Sequence, residues 1–108
     1  MSDSRRLMIH ADYECWPTWW VDTTGGMDNP DPRDLGLSPE LARDLVRWSD
    51  DLDATYDPAY PPDSRFETPA QEAAFWERGP ELARRTADEL RGRAEVFYRT
   101  PGGADTAL

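Results

Sequence analysis

The sequence predicts a small α+β domain in the order β-β-α-α-β. Two helices are expected to pack against a sheet of about three strands, antiparallel or mixed. Three observations predict this class. Two segments combine helix start signals with apolar residues at helical spacing, β-favouring segments lie before and after them, and Pro- and Gly-rich stretches separate these segments. At 108 residues the chain has room for one domain, which we predict to cover residues 1–99.

The first strands are predicted within residues 5–21, as two segments or as one strand bent near Asp12 or Pro17. RRLMIHA (5–11) is apolar at its centre, and CWPTWWVD (15–22) holds three tryptophans. Pro17 lacks an amide donor, so it belongs at an edge, at a bulge or between segments. Trp19 and Trp20 are adjacent and point to opposite faces of a regular strand. Whichever of the two faces away from the helices is predicted to be an exposed contact.

The first helix is predicted over about residues 39–55. Ser38 can cap it, Pro39 suits the first helical position, and Glu40 meets the positive end of the helix dipole. A narrow apolar stripe follows, and its members are expected to face the sheet. They are Leu41, Leu45, Trp48 and Leu52.

The second helix is predicted to begin at Thr68, because Thr68 and Gln71 have the spacing of a capping box. Pro80 removes a backbone donor and clashes with the preceding turn. The helix is therefore predicted to be either kinked there or split into 69–78 and 80–91. Gly79 lies on the inner stripe and would allow close approach to a neighbouring element. The predicted buried stripe is Phe75, Gly79, Leu82, Thr86 and Leu90.

The closing strand is predicted over residues 94–99 (AEVFYR), after Gly92 ends the helix. We expect this strand to pair with an N-terminal one. Residues 22–37 and 56–67 are predicted loops because they are dense in Pro, Gly and Asp. The tail from Thr100 is predicted to be disordered.

The charge of the chain excludes some classes of partner. It carries 22 acidic residues and 12 basic ones, all of them Arg, for a net charge of -10. Nucleic-acid phosphates and anionic membrane surfaces both require a basic patch, so neither is predicted as a partner. A single cysteine, Cys15, and the lack of an apolar leader or spanning segment predict a cytoplasmic protein.

No residue pattern predicts catalysis, a metal site or a cofactor. His10 and Cys15 are five residues apart, and an unbroken strand would place them on opposite faces. Asp28, Asp31 and Asp34 resemble a calcium loop in composition, but the EF-hand spacing is absent. An enzyme that uses a carboxylate or a His10–Cys15 pair is left as a less favoured alternative.

The acidic residues are concentrated in one part of the chain, because residues 22–57 contain ten acids and only three arginines. A one-sided acidic surface can steer a basic protein. We therefore predict a non-catalytic module that binds a protein partner, which is expected to be basic. The predicted partner-binding residues are Trp19, Trp20, Asp28, Asp31, Asp34, Asp44 and Asp51.

Two alternatives remain open at this point. The first is a small-ligand module with an aromatic pocket, because aromatic faces attract cations and planar ligands. Its predicted lining is Tyr13, Trp16, Trp19 and Trp20. The second is a homodimer that pairs through an exposed sheet edge near Pro17.

Three stretches together resemble a group of small, acidic, functionally uncharacterised proteins of actinobacteria. They are WPTWW, LGLSPELARDLVRWSDDLDATYD and FWERGPELARRTADELRGRAEVFYR, within residues 7–99. The resemblance carries no catalytic motif and transfers no functional residue. In general character, small acidic single-domain proteins are common among toxin-neutralising immunity proteins, which makes an immunity-type or regulatory partner of a basic protein the expected function.

Overall fold

A computed structural model describes residues 5–60 and 65–108 and confirms the α+β class. Residues 61–64 of the predicted second loop, and residues 1–4 of the predicted domain, lie outside the described residues. No helix in the described part is both long and apolar enough to span a membrane. The elements are β1 (Arg6–Ile9), β2 (Thr18–Val21), β3 (Met27–Asp28), a 3-10 helix (Pro32–Asp34), α1 (Pro39–Asp53), α2 (Pro69–Glu89), β4 (Glu95–Arg99) and β5 (Asp105–Ala107).

The sheet is mixed, with the strand order β3-β2-β1-β4-β5. β1 runs parallel to β4, and every other neighbouring pair is antiparallel. The centre falls on β1 because Leu7, Met8 and Ile9 are buried in succession, so this strand is covered on both faces. The predicted pairing of the closing strand with an N-terminal strand is confirmed by the β1–β4 ladder.

Two strands of this sheet are absent from the sequence prediction, which expected about three. β3 lies in the predicted 22–37 loop, and β5 lies in the tail predicted to be disordered from Thr100. Both predictions are corrected: β5 hydrogen-bonds to the outer edge of β4, and Arg99 forms an ion pair with Asp105 at 2.7 Å. Both strands are short and exposed, so neither carries apolar alternation. The predicted homodimer stays a prediction, but the exposed edge expected near Pro17 is wrong, because Pro17 is buried and β2, which follows it, lies between β1 and β3. The outer strands of the sheet are β3 and β5.

α1 begins where its cap signals predict. The Ser38 hydroxyl accepts a hydrogen bond from the Leu41 amide at 3.2 Å. The Glu89 carboxylate accepts from the Ser38 amide at 2.6 Å and from its hydroxyl at 2.7 Å, which ties the end of α2 to the start of α1. The whole predicted apolar stripe of α1 is buried. The helix ends at Asp53, two residues earlier than predicted.

α2 is continuous through Pro80 and is not split into two helices. A proline inside a regular helix costs roughly 3 kcal/mol. Phe75, Gly79 and Leu82 on the same helix are buried in the core, and this burial offsets that cost. The predicted close approach at Gly79 is confirmed, because a Cβ there would lie 2.5 Å from Tyr98 Cε1 on β4. Glycine at this position is what lets α2 sit directly on the sheet.

The two helices are joined through Trp48, which has no exposed surface. Its ring stacks on Phe75 with centroids 5.1 Å apart, and its indole Nε1 donates to the Phe75 carbonyl oxygen at 2.9 Å. Trp76 meets the same ring edge-on at 6.4 Å. The indole therefore buries a large apolar area while its polar atom keeps a partner.

Replacement of Gly79 by Ala is expected to destabilise the protein, although alanine is the better helix former. The helix propensity gain is about 1 kcal/mol, whereas overpacking a rigid core costs about 1–3 kcal/mol. The clash is with the ring of Tyr98, which is 4% exposed and has little room to move. Urea denaturation measures the free energy of unfolding.

Addition of Tyr98→Ala to Gly79→Ala provides the control. In that background the methyl group no longer meets a ring, so Gly79→Ala should become neutral or stabilising. A single Gly79→Ala variant that melts at a higher temperature than the parent would contradict the packing argument.

Candidate functional site

The structure decides which of the two adjacent tryptophans faces the helices. Directly paired residues on neighbouring strands share a face of the sheet. Trp20 pairs with Leu7 and packs against the core beneath the helices, whereas Trp19 pairs with Met8 on the opposite face. Trp19 is half-buried, and its indole Nε1 donates to the His10 carbonyl oxygen at 3.0 Å. Trp19 therefore faces away from the helices, and it is the residue of the pair that the sequence analysis predicts as an exposed contact.

Two of the predicted partner-binding acids are engaged within the domain. Asp44 accepts a hydrogen bond from Arg85 at 2.8 Å, and Asp51 accepts one from Arg78 at 2.6 Å. The acids are seven residues apart on α1 and the arginines seven apart on α2, so the two ion pairs follow the seam between antiparallel helices. Arg85 thus pairs with α1 and not with a neighbour on its own helix.

The other predicted acids lie apart from that seam. Asp31 caps the 3-10 helix and binds the Arg33 guanidinium, whose hydrogen bonds hold the pKa of this carboxyl below its ordinary value. Asp28 lies on β3 beside Trp20, and Asp34 is exposed at the end of the 3-10 helix. The structure therefore does not gather the predicted partner-binding residues into one surface, and their role stays a prediction.

The structure does not favour the predicted Trp-lined pocket, because its members point to different places. The Trp16 ring lies under the Arg33 guanidinium at 5.5 Å. Trp19 and Trp20 lie on opposite faces of the sheet. Tyr13 does line a cavity, but the other aromatic residues in its wall are Phe66 and Trp76.

A compact acidic surface forms where the β1–β2 turn meets the end of α1. The Glu14 amide donates to the Asp53 carboxylate at 2.9 Å, and the Tyr13 and Thr55 hydroxyls are 2.9 Å apart. The rings of Tyr13 and Tyr56 are 5.9 Å apart and tilted by 56°. We call this surface the acidic turn patch. Its members are Asp12, Tyr13, Glu14, Asp53 and Tyr56.

Negative charge is concentrated in the acidic turn patch. Among residues 5–60 and 65–108, Asp12, Glu14 and Asp53 form no ion pair within 4.0 Å. The negative end of the α1 dipole lies at Asp53 and adds to their field. Burial raises the pKa of the Cys15 thiol, and the charges of these three carboxylates raise it further. All three carboxylates are thus near enough to Cys15 to disfavour its thiolate.

The turn that presents this patch is strained. Glu14 has φ 59°, a left-handed conformation that residues with a side chain rarely adopt. Such a residue costs of order 1–3 kcal/mol and is retained where the surrounding structure fixes it. Here the hydrogen bond from the Glu14 amide to Asp53 fixes the turn against α1. Strain of this kind is concentrated at functional sites, which marks the patch as a candidate.

A cavity of about 340 Å³ opens beside the acidic turn patch and shares Asp12 and Tyr13 with it. His10, at the end of β1, forms part of its wall, and Glu72 and Trp76 of α2 form another part. In the described part of the chain, no three His, Cys, Asp or Glu side chains are grouped closely enough to bind a metal ion.

The sequence contains a signal for this site in its two tyrosines with acidic neighbours, of which the prediction used only Tyr13. Tyr13 and Tyr56 each have an acidic neighbour, in DYE (12–14) and TYD (55–57). The first tyrosine precedes β2 and the second follows α1, 43 positions later. Their pairing depends on how α1 lies along the sheet, which spacing within either segment does not reveal.

Residues 5–101 match the model of the family described as Serratia CdiI immunity protein-like. The matched range includes β1 to β4 and both helices, and it stops before β5. No curated protein shows a significant match to the chain.

The Cys15 thiol can report on the field of the patch. Because burial and three carboxylates raise its pKa, little thiolate is present at neutral pH, and alkylation by iodoacetamide should be slow. Removal of two of these charges with Asp12→Asn and Glu14→Gln should lower the pKa and speed alkylation at pH 7 to 8. Mass spectrometry of the alkylated fraction against time measures the rate.

Asp88→Asn with Glu95→Gln is the matched control, because it also removes two negative charges and both residues lie around the start of β4, away from the turn. It should leave the alkylation rate unchanged. Equal rates in the parent and in the Asp12→Asn, Glu14→Gln variant would show that the carboxylates do not act on the sulfur.

Proposed function

The chain belongs to the Serratia CdiI immunity protein-like family, and we propose from this membership that it is an immunity protein, which binds one protein toxin and blocks its action. The family match over residues 5–101 is the observation that carries the proposal. It agrees with the immunity-type function expected from small size and acidity. We also propose that the protein acts in the cytoplasm, which its single cysteine supports.

We propose the acidic turn patch as the centre of the contact with the toxin. A protein that neutralises by binding needs a surface whose charges are not already used within its own fold. Asp44 and Asp51 are paired with arginines across the helix seam, whereas the three carboxylates of the patch form no ion pair with any residue that the structure describes. A cluster of such carboxylates on a chain of net charge -10 fits a basic surface on the toxin.

We assign to the two tyrosines of the patch the binding free energy that the carboxylates do not supply. Charged pairs mainly raise the association rate, whereas large aromatic side chains at the centre of an interface carry much of the binding free energy. Tyr56 is 42% exposed, and Tyr13 is half-buried and held against it. Fixed rings lose little conformational entropy on binding. Trp19, Asp28 and Asp34 stay predicted contacts outside this centre.

Growth protection tests the proposed function. The product of the neighbouring gene is taken as the candidate toxin and is expressed from an inducible promoter, with and without the chain in the same cell. Protection is expected, and the two purified proteins should form a complex with fixed stoichiometry by size exclusion with light scattering. Folded protein that gives neither protection nor a complex would overturn the proposal.

The charge of the patch is expected to control how fast the complex forms. Asp12→Asn with Glu14→Gln should lower the association rate constant by roughly tenfold at low salt, because steering by charge raises association rates by 10-fold or more. The effect should shrink above 0.5 M NaCl, where the screening length falls to a few ångströms. Stopped-flow fluorescence of the tryptophans measures this rate.

Asp88→Asn with Glu95→Gln is the control, since it removes the same charge at the opposite end of the sheet. An equal loss of rate in both double variants would show that net charge acts and that the patch has no special place.

A further inference from the structure

The cavity beside the acidic turn patch lies at the carboxyl ends of the parallel strands β1 and β4. The chain leaves β1 through His10 and passes Pro101 soon after β4, and both residues line the cavity. α2 supplies a third wall through Glu72 and Trp76, which are four residues apart and lie on one face of the helix. With a volume of about 340 Å³ the cavity is at the small end of ligand sites. That size suits one long side chain.

The walls combine negative charge with aromatic rings. Asp12 and Glu72 provide two carboxylates, and neither forms an ion pair within the described residues. Tyr13, Phe66 and Trp76 provide the rings. Carboxylates and aromatic faces both attract cations, and a cation between them is stabilised by both. The chemistry of the cavity therefore selects a positively charged group with an apolar stem.

His10 refines that selection. Its Nδ1 lies 3.0 Å from the Arg99 carbonyl oxygen, which can only accept, so Nδ1 carries the proton. The ring lines the cavity together with Asp12 and Glu72, whose carboxylates come from different elements. Acceptors on more than one side of a cavity suit the five donors of a planar guanidinium better than the three of an ammonium. Arg65 is the one opposing charge among the lining residues, and it is exposed.

The same kind of contact already occurs elsewhere in the molecule. The Arg6 guanidinium lies 4.4 Å from the Phe97 ring centroid, and the Arg5 guanidinium lies 4.9 Å from that of Trp20. These rings accept guanidinium groups from the chain itself. The ring of Trp76 is only half-buried and faces a cavity.

We infer that this cavity receives an arginine side chain of the toxin, an inference that rests on the proposed function. The guanidinium stacks on the aromatic wall and donates to Asp12 and Glu72, while the backbone of the toxin lies over the acidic turn patch. The patch attracts the basic surface, and the cavity then selects one arginine from it. The cavity thereby supplies specificity to an encounter driven by charge.

A small probe tests the cavity without the toxin. N-acetyl-arginine amide is titrated into the full 15N-labelled chain, and the Trp76 indole and neighbouring amide signals are followed by NMR. Saturable shifts at millimolar probe are expected for arginine. Binding of N-acetyl-lysine amide should be weaker, and the uncharged N-acetyl-citrulline amide should produce no saturable shift.

Glu72→Gln should raise the dissociation constant of the arginine probe by about fivefold. This is the equivalent of roughly 1 kcal/mol for one charge-assisted contact at an accessible site. Glu77→Gln is the matched control: Glu77 lies five residues further along α2, is exposed, and is not part of the cavity wall. It should bind the probe as the parent does. Both changes are at exposed positions, and unchanged amide spectra away from the cavity show that each variant is folded.

Three results would overturn the inference: no saturable shift with arginine, equal binding of citrulline, or equal weakening by Glu72→Gln and Glu77→Gln. Growth protection without probe binding would overturn only the inference that the cavity receives an arginine, and it would leave the proposed function standing. Failure of the unmodified chain to protect cells would overturn the proposed function, and with it the assignment of the arginine to a toxin.

Discussion

The buried contact between Trp48 and Phe75 is the constraint on which the rest of the molecule depends. One stacked ring pair and one indole hydrogen bond fix α1 against α2 at a single depth and register. With that register set, Asp44 and Asp51 fall opposite Arg85 and Arg78, and Ser38 falls beside Glu89. These polar contacts follow from the aromatic one. Exposed ion pairs are worth only about 0–1 kcal/mol each, too little to position two helices by themselves.

The position of the helix pair on the sheet creates the candidate site. Gly79 allows α2 to rest on Tyr98, which places Trp76 and Glu72 near the ends of β1 and β4. α1 runs the other way, so that its last turn meets the β1–β2 turn and brings Tyr56 to Tyr13. The acidic turn patch and the cavity thus share one end of the sheet because the packing of both helices leads there. Neither feature belongs to a single element of secondary structure.

The acidic residues divide into two groups with different consequences. Asp44 and Asp51 on the helix seam and Asp31 at the 3-10 helix are paired with arginines, and they serve the fold. Those around Cys15 lack a cationic partner among the described residues, and their repulsion costs stability. Repulsion within such a cluster and strain in its turn both lower the free energy of unfolding. Binding to a basic toxin, as proposed, would offset this loss.

The sequence alone determined the elements whose signals are local. Caps at Ser38 and Thr68, the buried stripes of both helices and the apolar run of β1 all follow from propensity and periodicity, and each is present in the structure. Tertiary structure alone decided the features that depend on contacts distant in sequence. It paired β1 in parallel with β4, ordered β5, turned Trp20 inward and Trp19 outward, and joined Tyr13 to Tyr56. The physical reason is that short-range propensity determines whether a segment forms a helix or a strand. The burial of apolar surface between segments distant in sequence determines how the helices and strands pack against each other.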